Sequence, residues 1–188
     1  MKNALGNMRK TLAVLFLLAL VVPVLAHAAD TLVRFRGGIG VIPVSRATGT
    51  GAIDVNGNNI FPDVVRNDIV RGDVRVAPGG QPWVIADLRA DIKTDGRISV
   101  DGRGLLLAGG PVGTNGGQSV RAVLFCGNDR FETDPPVALE PNGDFRINDV
   151  LQPVAPTTLT LPPNPCENAV LLIVSGGGAW FAAGIPAN

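Results

Sequence analysis

Apart from His27, the 188-residue chain contains no histidine, and it contains no tyrosine at all. Imidazole is the side chain whose ordinary pKa lies closest to neutrality, and general acid–base catalysis draws on it most often. Its absence beyond residue 27 excludes a Ser–His–Asp arrangement there, together with histidine-rich zinc and copper sites. Lysine is nearly as scarce: beyond residue 28 only Lys93 remains, and every other basic side chain is arginine. That stretch has four serines, Ser45, Ser99, Ser119 and Ser175. None lies in a Gly-x-Ser-x-Gly elbow, and a serine–lysine dyad would have to use Lys93. Aromatic residues are 5% of the sequence, so Trp83 and Trp180 are expected in the core rather than on an exposed sugar-stacking platform.

What is present begins with a three-part N-terminal layout. Lys2, Arg9 and Lys10 form a basic region, residues 12–25 are apolar but for Pro23, and Ala26-His27-Ala28 places small residues where a signal peptidase reads. The pattern predicts a secretory signal peptide over residues 1–28, cut after Ala28, with a cut after Ala29 as the alternative. An apolar run of about fourteen residues is shorter than the roughly 20 that span a bilayer, which argues against an anchor. No cysteine follows the run directly to carry a lipid, and no later segment is long and apolar enough to cross a membrane. Residues 29–188 then form a single domain of ordinary size. They hold thirteen cations against sixteen carboxylates, a net charge of −3. Mild acidity and no basic stripe along the sequence argue against nucleic-acid binding.

Cys126 and Cys166 are the only cysteines. An even count in an exported chain predicts a disulfide, and no Cys-x-x-Cys spacing suggests a metal or redox site. Closing a loop of that length stabilises by about 3–4 kcal/mol in the chain-entropy account.

Glycine (24) and proline (15) are spread throughout and separate short runs rich in Val, Ile, Leu, Phe and Thr, a pattern of many short strands and turns. Residues 31–36 alternate, with Val33 and Phe35 on one face and Arg34 and Arg36 on the other. Residues 38–44 and 64–76 are further candidates, the latter with a bulge at Gly72. Residues 83–92 fit a helical stripe in part, but their unbroken alternation favours a strand. Asp95-Gly96 and Asp101-Gly102 are expected to turn into residues 97–100 and 105–107, and Asn142-Gly143 to fold residues 137–139 onto 144–147. Residues 119–126, 169–174 and 179–185 complete the set, the second apolar enough to be buried on both sides. Within the proline-rich stretch 153–165, only residues 157–161 are expected as an edge strand.

The chemistry-bearing candidates are few. Asp54, Asn56 and Asn58 have the spacing of a calcium loop's first ligands, but Asn59 and Val65 stand where its glycine and glutamate belong. Turn formation explains them better. Asp87 with Asp91, or Asp129 with Glu132 and Asp134, are the carboxylate pairs that glycoside hydrolysis would need. Gly38-Ile39-Gly40 lacks the third glycine of a dinucleotide fingerprint, and residues 113–117 lack the P-loop lysine. Arg71-Gly72-Asp73 spells an integrin-recognition tripeptide, expected within a strand.

The sequence therefore predicts an all-β protein, an antiparallel β-sandwich of immunoglobulin-like architecture, with a small β-barrel as the alternative. It predicts a periplasmic or extracellular, non-enzymatic module that binds an unspecified envelope or exterior partner, with no cofactor and no metal. The competing expectation is a carboxylate-dependent hydrolase, assisted by calcium.

Overall fold

The computed structural model describes residues 29–41, 44–45, 52–53, 59–60, 64–65 and 68–187. Its strands in chain order are β1 (Thr31–Gly40), β2 (Val44–Ser45), β3 (Ala52–Ile53), β4 (Asn59–Ile60), β5 (Val64–Val65), β6 (Ile69–Arg71), β7 (Val74–Val76), β8 (Trp83–Val84) and β9 (Asp87–Lys93). There follow β10 (Arg97–Arg103), β11 (Leu106–Leu107), β12 (Ser119–Cys126), β13 (Asp129–Glu132), β14 (Val137–Ala138), β15 (Phe145–Val150), β16 (Gln152–Val154), β17 (Val170–Ser175) and β18 (Trp180–Ala187). Among the described residues there is no helix long and apolar enough to cross a membrane.

Ten strands form one sheet in the order β15-β10-β9-β1-β18-β17-β12-β13-β16, with β14 paired to the start of β12. Every pairing in it is antiparallel. The sheet nearly closes on itself, because β14 comes up beside β15. Two contacts tie the seam: the Asp134 amide donates to Asp149 Oδ2 at 3.2 Å, and the Glu140 amide donates to the Asp144 carbonyl at 2.9 Å. This all-β, barrel-like arrangement accords with the barrel alternative. It does not by itself supply the two separate sheets of an immunoglobulin-like sandwich.

Alternation places the core. Phe35, Leu88, Ile92, Val100, Phe125 and Ile173 are buried within the sheet, while the residues between them on β1, β9 and β10 face outward. Strand β17 is buried along nearly its whole length, as its unbroken apolar run predicts. Cys126 and Cys166 lie at disulfide distance with Cα atoms 4.8 Å apart, and Gly127 donates to the Glu167 carbonyl at 2.7 Å beside them. The segment after β16 is thereby held against the end of β12.

Several expected boundaries move. Residues 31–36 and 38–40 belong to one strand, β1, with a bulge between Phe35 and Gly38 that Gly37 permits at φ +86°. The expected strand over 64–76 is broken: Ile69–Arg71 and Val74–Val76 form a hairpin whose turn is Gly72-Asp73. Arg71-Gly72-Asp73 therefore spans a hairpin tip rather than a strand interior. Asp101-Gly102 is no turn either. It lies inside β10, where a Cβ on Gly102 would come within 2.1 Å of the Phe145 ring. Glycine here marks a close approach, not a reversal. Asn142-Gly143 does turn the chain, but β14 and β15 then pair with β12 and β10 instead of with each other. Residues 157–161 form no strand; the edge position goes to β16, where Pro153 stands opposite Phe131.

Candidate functional site

On a half-buried strand one face must be apolar, so every second residue is free to carry charge. In β9, Leu88, Ala90 and Ile92 point inward and Asp87, Arg89, Asp91 and Lys93 outward. In β10, Ile98, Val100 and Gly102 are inward, leaving Arg97, Ser99, Asp101 and Arg103 outside. β1 contributes Arg34 and Arg36 and β15 contributes Arg146 and Asn148 to the same outer surface. Register aligns these into two rungs across four strands. One runs Arg34, Asp91, Ser99, Asn148; the other runs Arg36, Arg89, Asp101, Arg146.

The ion pairs on this face leave an excess of cations. Asp91 is shared by Arg34 (3.0 Å) and Lys93 (2.9 Å), and Asp101 by Arg103 (3.3 Å) and Arg146 (3.2 Å). Arg89 pairs with Asp87 at 3.0 Å and Arg97 with Asp95 at 2.7 Å. Arg36 donates only to the Phe35 and Ala90 carbonyls, at 2.9 and 3.3 Å, and no carboxylate among the described residues meets it. Seven cations thus stand against four carboxylates at the outward positions of these strands and the β9–β10 turn, in a chain whose formal net charge is zero. Arg36 also lies directly opposite Arg89, a like-charge pairing that costs a sheet stability.

Three depressions border the surface, one of about 490 Å³ lying between Arg103, Arg146 and the carboxylates Asp101, Glu140 and Asp144. A groove of about 570 Å³ is bordered by Asp91, Lys93, Arg97, Ser99, Asn148, Asp149 and Val150, with the Ser99 hydroxyl donating to Asn148 Oδ1 at 2.8 Å. A hollow of about 200 Å³ adjoins it between Arg36, Arg89, Ser99 and Asp101. Partial burial pushes the Asp91 carboxyl up, but hydrogen bonds and charge from Lys93 and Arg34 outweigh it and hold the group below its ordinary value. Asp95 is likewise lowered: desolvation pushes it up, but the hydrogen bonds and charge of Arg97 together overcome it.

The other candidate carboxylates stand elsewhere. β9 and β13 are separated in the sheet by β1, β18, β17 and β12, so Asp87 and Asp91 do not meet Asp129 and Glu132. Glu132 is flanked by Arg130 at 2.9 Å and Arg121 at 3.4 Å, and Arg121 also reaches Asp134 at 3.6 Å. Asp129 accepts from the Thr157 hydroxyl. Asp54, Asn56 and Asn58 lie outside the described residues, as does the predicted cut after Ala28; Ala29 is the first residue described. Among the described residues no three His, Cys, Asp or Glu side chains gather where a metal ion could sit.

Trp83 and Trp180 are both buried, as expected of core residues. Trp83 stacks on Phe181 with ring centroids 4.0 Å apart and planes 18° from parallel. A cavity of about 410 Å³ borders the pair, edged by Gln81, Leu107, Gln118 and Ser175. Trp83, Trp180 and Phe181 are each at least 94% buried, so none offers a stacking face. Residues 113–117 turn the chain through Gly113, Gly116 and Gly117 at positive φ, and Gly38 and Gly40 lie inside β1.

The charged outer face is what sequence reading missed. Its members are separated by up to 112 positions, from Arg34 to Arg146, and only register brings them together. The signal was the charge alternation in residues 31–36 and 83–92, each legible alone. No family model, no curated protein and no solved structure matches this chain.

Proposed function

We propose that the chain is an exported, non-enzymatic binding module of the cell envelope or exterior. The observation that carries this reading is the state of the carboxylates. Asp87, Asp91, Glu132 and Asp134 are each committed to arginine or lysine partners on outward faces. A glycosidase needs one carboxyl held protonated beside a second, with an apolar or like-charge environment raising its pKa. Asp91 and Asp95 are instead held below the ordinary carboxylate value by their cationic neighbours. The N-terminal layout and the cysteine pair support export, and the barrel-like scaffold presents a broad polar face for contact.

The test is incubation with immobilised polysaccharides and envelope fractions, with and without calcium, followed by assay for released reducing ends. Retention without release is expected. Release that Asp91→Asn or Glu132→Gln abolishes would establish the hydrolase instead.

A further inference from the structure

Resting on the binding-module reading, we infer that the outer face of β1, β9, β10 and β15 binds an acidic polysaccharide, with Arg36, Arg89 and Arg146 meeting its carboxylates and Ser99, Asn148 and the paired aspartates meeting its hydroxyls. The charge pattern sets the class of ligand. Two carboxylates each serve two cations and Arg36 has none among the described residues, so the outward side chains of these strands and the β9–β10 turn hold seven cations to four carboxylates, with Asp144 and Asp149 at their edge. Three of the four members of one rung are arginine. Neighbouring strands are about 4.8 Å apart, so these guanidiniums lie along a line of roughly 14 Å. Opposed Arg36 and Arg89 gain a neutralising partner when an anionic chain crosses the strands, and arginine suits bidentate contact with carboxylates.

A nucleic acid fits less well. Among the described residues the face offers no aromatic side chain for base stacking, and four aspartates lie among its cations. The same aspartates accept hydrogen bonds from sugar hydroxyls. Ser99 and Asn148 add neutral donors and acceptors beside the groove. Arg89 and Arg146 have side chains 67% and 75% exposed, open to an extended chain lying flat.

The experiment measures binding of the protein, expressed from its full sequence, to polygalacturonate, to neutral dextran and to single-stranded DNA, at low and high salt. The double variant Arg36→Gln/Arg146→Gln removes two of these cations, and Arg75→Gln, on the β6–β7 hairpin, serves as the control. Expected are binding to polygalacturonate that weakens at least about tenfold in the double variant and falls with salt, and no change in Arg75→Gln. Because Arg36→Gln relieves a like-charge pair, the double variant should melt no lower than the parent, which separates lost binding from lost folding. Equal binding by parent and double variant overturns the assignment, as does tighter binding of DNA. Retention on dextran or envelope fractions that the double variant preserves overturns this face while leaving the binding-module reading intact. Absence of any retention, on polymers and envelope fractions alike, overturns both.

Discussion

Two single positions make the packing testable. Gly102 lies in β10 with its missing side chain replaced by the Phe145 ring, 2.1 Å from where a Cβ would stand. Gly102→Ala should cost about 1–3 kcal/mol by overpacking, read as a melting temperature lowered by several degrees. Adding Phe145→Leu should recover part of that loss, whereas simple additivity of the two changes would refute the contact. Asp91 makes the second case. Its carboxyl is lowered in the fold, so its contribution is fully present above the unfolded value of about 3.9 and is lost as pH falls through the folded one. Stability of Asp91→Asn measured by denaturant from pH 6 to pH 2.5 should therefore fall less steeply on acidification than that of the parent. Identical acid limbs would mean the Arg34 and Lys93 contacts contribute nothing in solution.

At the scale of elements, the cysteine pair and the glycine turns show what sequence pattern can and cannot convey. The strand-forming run 119–126 and the apolar run before Ser175 point directly to β12 and β17, both buried along most of their length. Asp95-Gly96 turns the chain as its residue types suggest, with Gly96 at φ +82°, yet the same dipeptide at 101–102 continues a strand. The difference is Phe145, forty-three positions away, which no local pattern contains. The stretch 153–165 was likewise ambiguous, since proline permits either an edge strand or a loop. For the cysteines, reduction, or Cys126→Ser with Cys166→Ser, should remove about 3–4 kcal/mol in denaturant unfolding. Two free thiols in the unreduced protein would contradict the pairing.

For the molecule as a whole, the near closure of one antiparallel sheet turns a scattered set of charges into a surface. Composition gives a formal net charge of zero but not its division: the outward positions of β1, β9, β10 and β15 with the β9–β10 turn take seven cations and four carboxylates, leaving nine cations against twelve carboxylates in the rest of the chain. That asymmetry arises from register, which the sequence encodes only through the combined pattern of four strands. The all-β class followed from strand-length runs and turn residues, whereas barrel-like closure depended on β14 leaving β15 to pair with β12. The absence of histidine after residue 27 has its own consequence. Asp91 and Asp95 are shifted downward and Arg75, paired with Asp68, upward, all away from neutrality, so stability should be flat between about pH 5 and 7.

Arginine footprinting tests the binding face most directly. The protein, expressed from its full sequence, is treated with phenylglyoxal, with and without polygalacturonate, and modification is quantified at each arginine by mass spectrometry. Arg36, Arg89 and Arg146 should be protected by the polymer, while Arg75, with a side chain 71% exposed on a separate hairpin, should react equally in both samples. Uniform reactivity at all arginines, or protection at Arg75 with Arg36, Arg89 and Arg146 left open, would contradict it.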